Sequence, residues 1–138
     1  MVTVTIDGKE LSIEENLTIL EAAQTADIKI PTLCYLKDVN EIGACKMCVV
    51  EVEGSRHLVT SCNTKVRDGM VINTKSDRVI NSRKQVLNML LANHDVRCFS
   101  CSKSGDCRLQ DLSNEYGITK SCYEASAAKF AAKKENPF

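Results

Sequence analysis

The sequence has no tryptophan and only three tyrosines and three phenylalanines in 138 residues. Few rings are available to fill a core, so the core must be aliphatic. Net charge is also missing: eighteen basic and eighteen acidic side chains cancel. Nucleic-acid binding needs a basic excess or a basic face to meet phosphates, so the balance argues against that class. No run approaches the roughly 18 apolar residues of a membrane span. Met1 to Lys9 alternate apolar and polar, with Asp7 early, which is a strand pattern and not a secretory signal. Low-complexity tracts are absent, which argues against disorder over most of the chain. A cytoplasmic globular protein is expected.

What the sequence does have is eight cysteines. Without a secretory signal, that number points to metal binding over disulfides. The cysteines are clustered, and two pairs are Cys-x-x-Cys: Cys45 with Cys48, and Cys98 with Cys101. This spacing aims two sulfurs at one centre. The first group is Cys34, Cys45, Cys48 and Cys62. The second is Cys98, Cys101 and Cys107, with His94 four residues before Cys98. Each group makes a four-ligand set. Zinc accepts either set, but structural zinc sites usually pair two short knuckles, and each group here has one. Iron–sulfur clusters take ligands from a wrapped loop plus one distant residue, which is the layout of the first group. Gly43 and Ala44 leave room for backbone amides to approach a sulfide. Iron–sulfur is therefore favoured over zinc.

The rest of the chain reads as scaffold. Val2–Ile6 and Glu10–Ile13 alternate around Asp7-Gly8, a hairpin signal. Thr18 is the expected N-cap of a short helix, Ile19–Ala26, with Leu20 and Ala23 facing the sheet. Ile30-Pro31-Thr32 leads into the loop carrying Cys34 to Cys48. Val49–Glu53 reads as a strand, Gly54-Ser55 as a turn, His57–Ser61 as a return strand, and Met70–Asn73 as the last strand. Two hairpins around one helix predict an α+β fold of the β-grasp type, with chemistry in the long loop after the helix. Ser76 or Asp77 then caps a helix running to about Ala92. Its expected apolar stripe is Val79, Ile80, Val86, Leu87, Leu90 and Leu91. His94 continues that stripe, so its ring is expected to turn inward toward Cys98 and Cys101. A second helix over about Asp106–Tyr116 ends at Gly117. The expected domains are residues 1–75 and 76–124, followed by an Ala- and Lys-rich tail, 125–138. His57 reads as surface, Met47, Met70 and Met89 as packing, and Cys122 as a plain small hydrophobe, the alternative being a ligand that swaps in when a cluster is damaged.

On these residues the first unit resembles the plant-type [2Fe-2S] ferredoxin module, in the version at the N-terminus of [FeFe] hydrogenases and of the large iron–sulfur subunit of NADH:quinone oxidoreductase. The second unit, His94-x3-Cys98-x2-Cys101-x5-Cys107 with the stretch Gly105 to Asp111, resembles the His-ligated helical [4Fe-4S] module that follows it there. The resemblance implies that Cys34, Cys45, Cys48 and Cys62 hold one [2Fe-2S] cluster. It likewise implies that His94, Cys98, Cys101 and Cys107 hold one [4Fe-4S] cluster. Two departures stand out: Asp95 where proline often follows the histidine, and Lys46 where arginine is common. Neither removes a ligand.

The implied function is electron transfer. Nothing in the sequence resembles a hydride-transfer site, a nucleotide loop or an acid–base pair, and no length remains for a catalytic domain. A plant-type cluster has a low potential, about −400 mV. Neutral imidazole in place of one thiolate raises the second cluster's potential relative to an all-thiolate cluster. The implied partners are a flavin-bearing NADH subunit or a ferredoxin on one side and a hydrogenase or formate dehydrogenase catalytic subunit on the other. The competing reading is a metal-stabilised interaction module without a redox role.

Overall fold

The computed structural model describes residues 1–123; the tail expected at 125–138 lies outside them. The chain divides into two compact units, Met1–Arg83 and a second beginning at Lys84.

The first unit opens with β1 (Val2–Ile6) and β2 (Lys9–Ile13), paired antiparallel with Ile6 opposite Lys9. Asp7 and Gly8 both have positive φ, 49° and 82°, the backbone of a two-residue turn that matches the twist of its strands. α1 (Ile19–Thr25) begins at the expected cap and closes a full capping box. The Thr18 hydroxyl accepts from the Glu21 amide at 3.2 Å, and the Glu21 carboxylate accepts from the Thr18 amide at 3.0 Å. Two of the four unpaired amides of the first turn are thus satisfied. β3 (Val49–Val52), β4 (Val59–Thr60) and β5 (Val71–Asn73) complete the sheet. The return strand is shorter than the expected His57–Ser61, because its pairing with β3 covers only Val49–Thr60 and Val50–Val59.

Strand order is β2-β1-β5-β3-β4. β1 and β5 pair in parallel, which puts the first and last strands side by side as a β-grasp requires. The core is aliphatic: Val4, Ile6, Ile19, Leu20, Val50 and Ile72 are buried within it. Each such side chain contributes about 1.5–3 kcal/mol by leaving water. Leu20 and Ala23 are buried as expected.

α2 (Asp77–Ala92) starts with the Ser76 hydroxyl accepting from the Val79 amide. Its buried positions are Val79, Arg83, Leu87 and Leu91, one residue every four, along a single face. This corrects the expected stripe. Leu90 and Met89 are exposed, and a guanidinium takes the place of an apolar residue. Arg83 Nη2 donates to the Val49 carbonyl at 2.8 Å, and its aliphatic stem can lie against apolar neighbours.

In the second unit a single 3-10 turn (Cys98–Ser100) and α3 (Arg108–Glu115) follow. α3 ends in a Schellman motif, with the Ile118 amide on the Ser113 carbonyl at 2.8 Å and the Gly117 amide on the Asn114 carbonyl at 3.2 Å. No described helix is long and apolar enough to cross a membrane.

Candidate iron–sulfur sites

The first cysteine set sits on three segments tied together by the backbone. Cys34 and Cys45 lie in the loop after α1, Cys48 at the start of β3, and Cys62 just after β4. Ser61 is the clasp: its amide and hydroxyl both bond the Cys48 carbonyl, at 3.2 and 2.8 Å. Ser61 also accepts from the Leu20 amide through its carbonyl at 3.0 Å, so α1 holds the Cys62 segment in place. The other side of the loop is fixed by the Asn40 side chain, which donates to the Cys34 carbonyl at 2.7 Å.

Backbone amides converge on the sulfurs. The Cys45 amide points at Cys34 Sγ and the Met47 amide at Cys45 Sγ, both at 3.4 Å. Lys46, between them, has φ 61°. Gly43 is buried with φ 65°, and a methyl there would stand 2.9 Å from Asn63 Nδ2 and 3.0 Å from Thr60 Oγ1. Glycine is needed at that point for close approach to Thr60 and Asn63 at the end of β4.

The electrostatics follow. Burial, a hydrogen bond with Cys48, and the charges of Cys48, Cys34 and Cys45 push the Cys62 thiol up to about 12. Burial also works to raise the Cys45 thiol, but bonds from the backbone of Met47, Cys34 and Leu33 and from the Cys34 side chain outweigh it and lower it. A Cys62 thiol whose ionisation the neighbouring cysteines oppose, with amides already aimed at the sulfurs of Cys34 and Cys45, fits an iron–sulfur cluster, whose irons neutralise crowded thiolates. All eight cysteines are free thiols. Among the described residues no three His, Cys, Asp or Glu side chains form a ready-made single-ion site.

The second set lines one cavity of about 360 Å³, whose wall includes His94, Cys98, Cys101 and Cys107. Cys98 opens the 3-10 turn and Cys101 follows it, and the Cys101 amide bonds back to the Cys98 carbonyl at 3.2 Å. Cys107 is the N-cap residue of α3. The loop between is pinned by Gln110, which accepts from the Gly105 amide at 2.9 Å. One imidazole and three thiols around one hollow fit a His/Cys3-held cluster. His94 itself corrects an expectation: it lies beyond the end of α2 and is exposed, so it does not extend the buried stripe. It reaches the cavity because the chain turns after Leu91, where the His94 amide bonds the Leu91 carbonyl at 3.2 Å.

Residues outside the two sets fall variously. His57 is exposed and Met47 fully buried, as expected. Cys122 is exposed; its amide donates to Asn88 Oδ1 at 3.1 Å. Ser61 and Asn40, whose polar side chains hold the loops, carry no signal in the sequence, whereas Gln110 lies in the stretch Gly105 to Asp111. No periodicity marks them, since each acts across a turn.

Residues 1–77 match the family described as 2Fe-2S iron-sulfur cluster binding domain. Residues 83–121 match the NADH-ubiquinone oxidoreductase-G iron-sulfur binding region. The NADP-reducing hydrogenase subunit HndD of Solidesulfovibrio fructosivorans is 51% identical over 129 residues, covering 90% of this chain and 22% of the relative. The mitochondrial NADH-ubiquinone oxidoreductase 78 kDa subunit of Candida albicans is 39% identical over 130 residues, 94% of this chain and 18% of the relative. A chain of an NAD+-reducing [NiFe]-hydrogenase in the H2-reduced state superposes with a TM-score of 0.83 at 34% identity, over 91% of this chain and 53% of that one. The chain spans less than a quarter of the length of these two curated relatives. With its first 77 residues matched, the chain belongs to the 2Fe-2S iron–sulfur cluster binding domain family, and it carries an NADH-ubiquinone oxidoreductase-G iron-sulfur binding region after that domain.

Proposed function

We propose that Cys34, Cys45, Cys48 and Cys62 hold the [2Fe-2S] cluster and that His94, Cys98, Cys101 and Cys107 hold the [4Fe-4S] cluster. The chain then passes electrons between a flavin-bearing NAD(P)H subunit or a ferredoxin and a catalytic subunit of the hydrogenase or formate dehydrogenase type. The observation that carries the reading is the gathering of His94 and three cysteines around one cavity, together with the hydrogen bonds that aim backbone amides at Cys34 and Cys45 of the first set. Eight free thiols also suit a reducing, cytoplasmic compartment.

When bound, such clusters supply one-electron chemistry. The chain's own residues set its terms. Amides aimed at Cys34 and Cys45 stabilise negative charge on sulfur, and the burial of Cys48 and Cys62 keeps water from that side of the first site. His94 brings no charge, so the second site is one unit less negative than four thiolates and favours the added electron.

Anaerobically purified protein should carry about six iron and six sulfide per chain and lose its brown colour with dithionite. Iron at two or four per chain would mean that one set holds no cluster. A colourless, zinc-containing protein would instead support the structural module. Co-purification from the native host identifies the electron partners.

A further inference from the structure

A second, smaller cavity of about 180 Å³ shares His94, Cys98, Cys107 and Gln110 with the ligand cavity, and Ser113 is part of its wall. Ser113 is 6% exposed, and its hydroxyl has no hydrogen-bond partner among the described residues. A helical serine ordinarily bonds back to the carbonyl four residues earlier, here Leu109, and Ser113 does not. A buried unpaired hydroxyl in a native fold calls for a reason.

The chemistry of the second site supplies one. A ligating imidazole binds through one nitrogen, and the other carries a proton that needs an acceptor. Besides Ser113 and His94, the polar side chains on the wall of this smaller cavity are Gln110, Asn114 and Thr119. Gln110 is already engaged, its carbonyl by the Gly105 amide at 2.9 Å and its amide by the Ser104 hydroxyl at 3.3 Å. Asn114 and Thr119 are exposed and open to water. Ser113 is the buried hydroxyl on this wall.

We propose that Ser113 is the positioning residue of His94: its hydroxyl accepts the hydrogen bond from the imidazole N–H that faces away from iron, and so selects the coordinating nitrogen. The proposal rests on the reading of His94 as a ligand. Accepting that proton makes the imidazole a stronger donor and holds the ring in one orientation. The serine touches neither iron nor sulfide in this role and acts only through the histidine.

The test uses anaerobic holoprotein with both clusters, in Ser113→Ala and Ser113→Thr variants, each in the native and the His94→Cys background. Retention of the second cluster against an iron chelator is followed by visible absorbance, and the histidine's nitrogen coupling by pulsed EPR of the reduced cluster. Ser113→Ala should lower retention about 10–100-fold, the usual effect of losing such a partner, and change the nitrogen coupling. Ser113→Thr keeps a hydroxyl and should preserve both. In the His94→Cys background Ser113→Ala should change nothing, because a thiolate ligand has no N–H to donate. Equal loss in both backgrounds would show that the serine matters only for packing and would overturn the proposal. Native retention and native coupling in Ser113→Ala would overturn it as well. Absence of any nitrogen coupling in the native protein would instead remove His94 from the ligand set, and the proposal with it.

Discussion

Gly43→Ala is expected to lower the urea midpoint of the first unit by about 1–2 M, through two separable costs. Gly43 has φ 65°, and placing a Cβ residue in that left-handed region costs about 1–2 kcal/mol. The new methyl would also stand 2.9 Å from Asn63 Nδ2 and 3.0 Å from Thr60 Oγ1, well inside the 3.5–4.0 Å or so of ordinary carbon contacts. Relief requires parting Thr60 from Asn63 and so losing the bond from the Thr60 hydroxyl to Asn63 Oδ1, worth about 0.5–1.5 kcal/mol. The sum is about 1.5–3.5 kcal/mol, which at about 2 kcal/mol per molar urea gives about the stated shift. Gly8→Ala is the control. Its φ is 82°, but nothing lies within 4 Å of an added methyl, so only the conformational cost applies. Anaerobic urea titrations followed by far-UV circular dichroism and by visible absorbance compare the two. Because Asn63 adjoins Cys62, the visible signal of Gly43→Ala should disappear at lower urea than its circular dichroism. Equal midpoints for the two variants would refute the close-approach argument.

Further outcomes are expected at other sites. His94→Cys should keep the second cluster and lower its midpoint, because each redox state gains one negative charge, while His94→Ala should lose that cluster or make it labile; EPR-monitored redox titration reads both, with the first cluster's midpoint unmoved. Cys122→Ser should leave iron content and both EPR signals unchanged, since Cys122 is exposed and lies outside both sets; loss of either signal would show that the ligands are wrongly assigned. Glu21 is held below its ordinary value by the Thr18 amide, against a smaller opposing effect of burial and with help from Lys37 at 3.1 Å. A depressed folded-state value stabilises the fold above the unfolded-state value and is lost as pH falls through the folded one. Glu21→Gln keeps a neutral capping-box acceptor but loses what the charged form contributes, so it should lower stability modestly at neutral pH and little at acid pH, flattening that acid limb, as thermal melts between neutral and acid pH would show.

The elements legible in the sequence were those with local causes. Alternation at period two marked β1 and β2, because neighbouring side chains on a strand must face opposite sides. Asp7-Gly8 marked their turn, since its backbone needs positive φ at both positions. Thr18 marked the start of α1, because its hydroxyl meets an amide only three residues away. The grouping of cysteines into two fours was also visible, as spacing and order along the chain. What only the tertiary structure decided depends on segments that meet from far apart. Cys62 is brought against Cys48, Cys34 and Cys45 by Ser61 and the start of α1, and no spacing in the sequence states that meeting. Arg83 takes a buried place in α2 because the Val49 carbonyl, 34 positions away, accepts a hydrogen bond from its guanidinium, while Leu90 and Met89, apolar by composition, turn to solvent. Helical periodicity gives the angle between residues, but the surface that a helix meets chooses which angle is buried. The same holds for Gly43 and Ser113, whose neighbours come from β4's turn and from the far side of a cavity.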